Sequence, residues 1–392
     1  MADSVHGFQC TMGACEDNCC RNTTWSISVD EHTYEKYKTL GGEIGQHIMD
    51  CIEEVEGIYN FKEFDHGHCP LLTDAGLCMI HKDLGEEYLC ATCITYPRVW
   101  NTFNGKAEHW LSLSCPDVVR WVLYRKKKIT YTEFPATLNI DIPPATPFAT
   151  ELSHVRNFLI EIVQYRKFSI KEKLMFMGLV MRSFSKCPRD DKFSKSINEV
   201  LRTYRSNLRV SGLMADLQRN LGDIHPDNRK QIFLTLAQTA SVSAIPPKKI
   251  PIGITNSDYY SLMAAFHNDV ADKKAEQYLV SVFDRLIVPY VNANKYVFEN
   301  YLAYVIVSSK FLYNVDDFSA AYSGFAGEFL SMLVFAAGLF NANQSISHDE
   351  MIIAIYLFHR KVSHSDLLRK QLSEIFTDNL LSILLCALGG IK

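Results

Sequence analysis

Four thiols stand close together at Cys10, Cys15, Cys19 and Cys20, in a C-x4-C-x3-C-C array with Gly13 and Asn18 available for tight turns. Such a run can wrap one soft metal centre without long-range loop closure. Adjacent side chains diverge on a helix or a strand, so the vicinal Cys19 and Cys20 are expected to be inequivalent, one of them serving a second metal or holding the fold. A second group follows: Cys69-Pro70, Cys78, the pair Cys90 and Cys93 ahead of Tyr96-Pro97-Arg98, and Cys115-Pro116. A Cys-Pro step fixes the backbone beside a ligand, a device also used near iron-sulfur thiolates. Two four-thiolate sites are arithmetically possible, as is one cluster with the other thiols structural. The compact first group with a spread second group suits iron-sulfur better than zinc, whose structural sites usually pair two short C-x2-4-C knuckles. Zinc remains the alternative metal.

Of the twelve cysteines, ten precede residue 116 and only Cys187 and Cys386 follow. With Cys51, these two sit in helical, partly apolar contexts and read as small core residues. The N-terminus lacks a basic region followed by an apolar core, so no secretory signal is expected. The reading is therefore cytoplasmic, where reduced thiols are ligands more often than disulfides. His66 and His68, ahead of Cys69, could complete a mixed metal site but read first as loop histidines.

The elements that must position these thiols are expected to be mainly α: a cysteine-rich metal-binding domain with minor β, packed on an α-helical body. Weak strands are expected at Trp25–Val29 and Ala107–Leu113, and short helices at Glu31–Leu40 and Gly45–Val55. The cysteine-rich unit covers 1–134, and a proline-rich linker at 135–150 contains Pro135, Pro143, Pro144 and Pro147. A helical unit at 151–244 carries periods over 170–187, 193–205 and 210–240. A second proline-rich linker at 245–256 precedes a C-terminal helical unit at 257–392, with candidates at 257–290, 295–313, 319–340, 348–363 and 366–388. The longest apolar stretch, around Phe329 to Phe340, reads as a buried helix too short to span a bilayer, so no membrane is expected. Forty basic against forty-four acidic residues give a formal charge of -4, which supplies no general field for nucleic acid. The run Lys126-Lys127-Lys128 reads as a solvated element end.

The segments FQCTMGACEDNCC, CPLLTDAGLC, CATCITYPR and LSLSCP resemble the flagellin lysine-N-methylases of enteric bacteria, relatives of the wider CxxCxxCC family grouped as zinc- or iron-chelating. The resemblance is specific in the first 120 residues and continues more weakly at Glu299-Asn300-Tyr301 and at Arg360–His364. It implies a 4Fe-4S protein that methylates surface lysines of flagellin with S-adenosylmethionine. The ligands it carries over are Cys10, Cys15, Cys19, Cys20, Cys69, Cys78, Cys93 and Cys115, while Cys90 departs from the pattern. The C-x3-C-x2-C array of radical S-adenosylmethionine enzymes is absent, and Ser323-Gly324-Phe325-Ala326-Gly327 has no preceding strand to make it a dinucleotide loop.

Lysine methylation is a displacement at a sulfonium methyl, so the ε-amine must first be neutral although its free pKa is about 10.4. Glu299 and Tyr301 are weak candidates for that deprotonation, set against plainer readings as a helix-pairing carboxylate and a core aromatic. Arg98 is a weak candidate for holding the cofactor carboxylate, and is favoured as a brace of the cysteine loop. Arg360 and His364, four apart, read as a surface pair. The alternative to an enzyme is a non-catalytic metal-cluster protein, either an electron carrier or a zinc-stabilised interaction module.

Overall fold

The computed structural model describes residues 27–62, 69–135, 141–145, 147–208, 273–309, 311–313, 317–341 and 343–362, with 3, 5, 7–11, 14, 15, 17, 19–21, 232, 233, 236, 384 and 387–391. His66, His68, Cys386 and His364 lie outside the described residues, as do the linker expected at 245–256 and most of the helices expected over 210–240 and 366–388.

The N-terminal part is built on short elements. Strand β1 (Ser28–Val29) leads into helix α1 (Glu31–Thr39), then α2 (Gly42–Asp50), β2 (Ile52–Val55) and β3 (Ile58–Phe61). The three strands form one antiparallel sheet in the order β1-β3-β2. A single helix over Gly45–Val55 is therefore not what forms: α2 stops at Asp50, and Ile52 to Val55 pair with β3. The reason is local. Glu56 and Gly57 adopt φ of 53° and 79°, the left-handed pair of a two-residue hairpin turn, and this turn recruits the β-branched residues on either side into a ladder.

Two short helices, α3 (Met79–Asp83) and α4 (Ala91–Thr95), follow a loop pinned by a bridge between Leu72 and Cys78. Asp30 ties this region together. Its carboxylate caps α1 by accepting from Thr33 N at 3.0 Å and caps α4 by accepting from Ala91 N at 2.9 Å. Burial alone would raise its pKa, but the Ala91 and Thr33 donors outweigh burial and hold it below the ordinary carboxylate value. The buried side chains Ile27, Tyr37, Ile48, Phe61, Leu71 and Ile80 make a small core that also contains Cys51, Cys69 and Cys90.

The hairpin of β4 (Arg98–Phe103) and β5 (Lys106–Leu111) comes next, turning at Asn104 and Gly105 with φ of 54° and 67°. Helix α5 (Pro116–Leu123) follows directly. Trp110, Leu111, Val118, Val119 and Val122 are buried in the large core, which runs on through the helical body. That body comprises α6 (Ala149–Val163), α7 (Ile170–Phe184), α8 (Phe193–Asn207), α9 (Lys273–Ala293), α10 (Lys295–Ser308), α11 (Phe318–Leu339) and α12 (His348–Val362). Helix α11 packs against α7, α9 and α12, while α5 lies against α10 and α12. At 22 residues α11 is longer than the apolar run suggested, long and apolar enough to cross a membrane by length and composition, yet 89% of its apolar window is buried inside the fold. An all-round apolar helix of this kind is the centre of a helical core.

Because Asp30 caps two helices at once, Asp30→Ala is expected to lower unfolding free energy by about 1–3 kcal/mol. Urea titration of the two proteins measures this, and an unchanged midpoint would show that the double cap contributes nothing.

Candidate functional site

The cysteines fall into two neighbourhoods. In the first, a short 3-10 turn at Cys19–Arg21 carries the two vicinal thiols, which are in hydrogen-bonding contact with each other. The amide of Cys69 donates to the Cys20 carbonyl at 2.7 Å, which brings the Cys69–Cys78 loop beside this turn. Cys90 and Cys93 flank the start of α4 and hydrogen-bond to each other. Cys20 and Cys93 have strongly raised pKa values: each keeps the proton that it shares with its partner, burial adds to this, and the charges of neighbouring thiolates add further. Their partners Cys19 and Cys90 are lowered, Cys19 to about 7. Cys69 is pushed up to about 12 by burial and by the proximity of Cys78, Cys51 and Cys90. Six thiols, Cys19, Cys20, Cys69, Cys78, Cys90 and Cys93, thus feel one another's charge. Cys90, outside the resemblance pattern, is among them and is buried.

The second neighbourhood holds Cys10, Cys15 and Cys115. Burial pushes Cys15 to about 11 and Cys115 to about 12, with Asp117 adding to both. Two ties fix it. Thr11 donates through its hydroxyl to Asp117 Oδ2 at 2.6 Å, joining the Cys10 segment to the helix that follows Cys115. The stronger tie comes from the far end of the chain: Arg360 on α12 donates from Nη1 to Asp17 Oδ2 at 2.6 Å, from Nη2 to the Asp17 carbonyl at 3.1 Å and from Nε to the Ser114 carbonyl at 3.0 Å. Arg360 was expected on the surface beside His364. It is instead 4% exposed in its side chain, because its guanidinium matches the acceptors that two cysteine-bearing segments present together. Asp17 lies between Cys15 and Cys19, and Ser114 precedes Cys115.

Among the described residues, no group of three or more His, Cys, Asp or Glu side chains stands ready-made to hold a metal ion. The donor set is nevertheless chemically apt. Buried thiols that raise one another's pKa release protons readily only to a soft cation that replaces them. Cys51 and Cys187 are buried core residues.

The other candidates are engaged within the fold. Glu299 accepts from the fully buried Lys173 Nζ at 2.7 Å, with Lys295 Nζ at 3.9 Å. Tyr301, also buried, places its hydroxyl 3.1 Å from His359 Nε2. Arg98 is exposed and lies over the Phe8 ring at 5.9 Å, on the segment that leads into Cys10. The Lys126–Lys128 run is likewise used: Lys126 sits 3.5 Å over the Tyr296 ring and Lys128 donates to the Gln164 carbonyl at 2.7 Å.

Sequence reasoning missed a cleft of about 600 Å³ between the β4–β5 hairpin and α6, lined among others by Trp100, Phe103, Glu108, Phe134, Ser153 and Arg156. Arg156 and Glu108 form a bidentate pair at 2.6 and 3.0 Å in its wall, and the Tyr313 hydroxyl donates to Glu108 at 2.9 Å. Only the alternation of β5 hinted at an inward Glu108, and its partner is 48 residues away.

A family profile described as the FliB lysine N-methylase C-terminal domain matches residues 156–388. The chain belongs to the FliB lysine N-methylase family. As a member, this methylase is a protein-lysine N-methyltransferase. It is 22% identical to the lysine-N-methylase of Salmonella typhimurium over 92% of this chain and 90% of the relative, and a protein of Salmonella choleraesuis with the same name aligns over the same shares. The flagellar biosynthetic protein FliU of Salmonella muenchen is 30% identical over 30% of this chain and 73% of its own length. No solved structure matches the methylase.

Two predictions follow from the charges that hold the methylase together. Replacing Arg360 with methionine strands Asp17 beside the thiols and should cost about 3 kcal/mol, read as a lower denaturant midpoint. Burial pushes Lys173 down from 10.5 to about 8, against the pull of Glu299. A lysine lowered on folding loses its native proton first, so between about pH 8 and 10.5 this one group adds stability as pH rises, opposite in sign to the thiols that folding raises. Lys173→Met should therefore make stability fall more steeply with pH over that window than in the parent chain, read by denaturant titration at each pH, and an identical pH profile in both proteins would contradict the assignment.

Proposed function

We propose that this chain transfers a methyl group from S-adenosylmethionine to lysine side chains of flagellin in the cytoplasm, with an iron-sulfur cluster, as 4Fe-4S, bound by its N-terminal thiols. Lysine methylation is carried by the alignment to lysine-N-methylases across 92% of the chain, and the clustered N-terminal thiols are what support a metal cluster. The flagellar name of the shorter relative supports a flagellar acceptor.

In the transfer, the neutral lysine nitrogen forms a bond to the methyl carbon while the carbon-sulfur bond breaks, its electron pair returning to sulfur as a thioether. The new ammonium then loses a proton to solvent or to a nearby base. Displacement of this kind gains most from alignment of nucleophile and methyl, and from excluding water that would keep the amine protonated.

The residues offered for the cluster are the six mutually interacting thiols, from which Cys69, Cys78, Cys93 and one member of the vicinal pair make a complete thiolate set. Bound there, a cluster supplies a rigid cross-link among the N-terminal turn, the Cys69–Cys78 loop and α4. Cys10, Cys15 and Cys115 are then structural, or hold a second metal.

Protein purified without oxygen should be brown and carry iron with acid-labile sulfide. Cys69→Ser and Cys93→Ser should each lose the iron, and Cys15→Ser should retain most of it. Colourless protein with stoichiometric zinc would replace the cluster by a zinc site. Metal-replete protein that transfers no labelled methyl group from the donor to flagellin would sink the catalytic reading.

A further inference from the structure

A lysine N-methyltransferase must bind a methyl donor, and no donor pocket is apparent from the cysteine array. The cleft between the hairpin and α6 has the features such a pocket needs. Its volume of about 600 Å³ lies in the range of small-molecule sites, roughly 300–1,000 Å³. Its lining charges come in opposite pairs: Glu108 with Arg156 in the wall, and Lys106 with Glu133 at 2.7 Å on the exposed rim. A free anion or a free cation gains little from such a balanced lining, whereas an amino-acid zwitterion can meet a charge of each sign. The pairing with Glu108 occupies two of the five N–H donors of a guanidinium.

Apolar surface completes the match. The Trp100 ring, half-buried, is stacked on His109 at 4.0 Å, so its orientation is already fixed. Phe134 and Ile142 border the cleft and are 44% and 39% exposed, so both offer apolar surface to a bound molecule. The buried hydroxyls of Tyr131 and Tyr304 are spent on the backbone of α10 and β5, at 2.7 and 2.8 Å, so these residues hold the wall rather than contact a ligand's polar groups. Two other cavities among the described residues differ in charge, although the one beside Trp121 also holds a bidentate pair, Asp3 with Arg125. The one of about 780 Å³ beside Trp121 adds Arg120, Lys126 and Lys127 to its border, and the one of about 400 Å³ beside Tyr290 has no acid in its lining.

We infer that this cleft binds the methyl donor, seating its amino-acid zwitterion against Glu108 and Arg156 and its flat aromatic base against Trp100 and Phe134. The inference rests on the methyltransferase reading above, and adds to it a location and the residues that select a nucleoside-linked amino acid.

Calorimetry on the full, metal-replete chain tests it, with S-adenosylhomocysteine and adenosine as probes. Three variants are compared: Trp100→Leu, Arg156→Met, and Thr150→Trp, which adds bulk at an exposed lining position in the first turn of α6. Trp100→Leu and Thr150→Trp should weaken both probes by about tenfold or more. Arg156→Met should weaken S-adenosylhomocysteine by a similar factor and leave adenosine unchanged, since only the former carries the zwitterion. Circular dichroism melting identifies any variant that does not fold, and should Arg156→Met fail, Trp100→Leu and Thr150→Trp decide the matter. Wild-type binding with all folded variants within twofold would overturn the site and leave the donor reading standing. No binding by the wild-type chain would overturn the donor reading itself, and the site with it.

Discussion

The buried guanidinium of Arg360 is the contact on which the arrangement of the thiols depends. It projects from α12, near the C-terminal end of the described body, into a place where Asp17 and the Ser114 carbonyl converge. An arginine so enclosed is tolerable only if its donors are met, and here three hydrogen bonds meet them. The consequence runs both ways. The helical body fixes the loop between Cys15 and Cys19, and that loop in turn satisfies a charge the body could not bury alone. A cysteine-rich segment with few regular elements of its own is thereby held by the rigidity of α5 and α12, which pack on each other.

The β4–β5 hairpin carries the same logic across the molecule. Its base follows Cys93 and its return strand leads to Cys115, so both thiol neighbourhoods are anchored at the Arg98–Leu111 end. Trp100 and His109 lie two residues further along the ladder, about 7 Å away at strand spacing, and already border the cleft. Tyr304 locks the hairpin onto α10 by accepting from the Leu111 amide and donating to the Leu111 carbonyl. A backbone residue bonded twice by one buried phenol cannot shift without losing both bonds. Thiols and cleft therefore share one stiff element.

How much of this was legible in the sequence depended on the range of the interaction. The helices α1, α7, α8, α10 and α12 begin where periodicity places them, and three carry side-chain caps: Asp30 on α1, and reciprocal boxes of Ser169 with Glu172 on α7 and of Ser347 with Glu350 on α12. The β2–β3 hairpin was lost because its signal, Glu56-Gly57, depends on a left-handed glutamate, which is uncommon. Among the site residues, cysteine identity was plain from spacing, and the partition of the cysteines was not. Cys20 meets Cys69 through a backbone hydrogen bond over a long separation, and nothing in a linear pattern separates Cys15 from Cys19. Arg360 and Glu108 were unreadable for the same reason: each is defined by a partner far off in sequence, at separations of 343 and 48 residues.

The thiol neighbourhood also constrains what the proposed cluster can do for the fold. Cys20 and Cys93 are raised first by the hydrogen bonds from which each keeps the proton, Cys69 and Cys78 first by burial, and neighbouring thiolates add to all four, so without a cation they stay protonated and repel little. Ionising several of them in so small a volume is favourable only when a cation neutralises them in the same step. Metal uptake at the proposed site and proton release would then be a single event, its free energy going into joining the N-terminal turn, the Cys69–Cys78 loop and α4. Because α4 leads into β4, the tightening is passed to the hairpin that borders the cleft. A cluster bound as proposed would then bear on transfer through the hairpin, by fixing a wall of the cleft proposed for the donor.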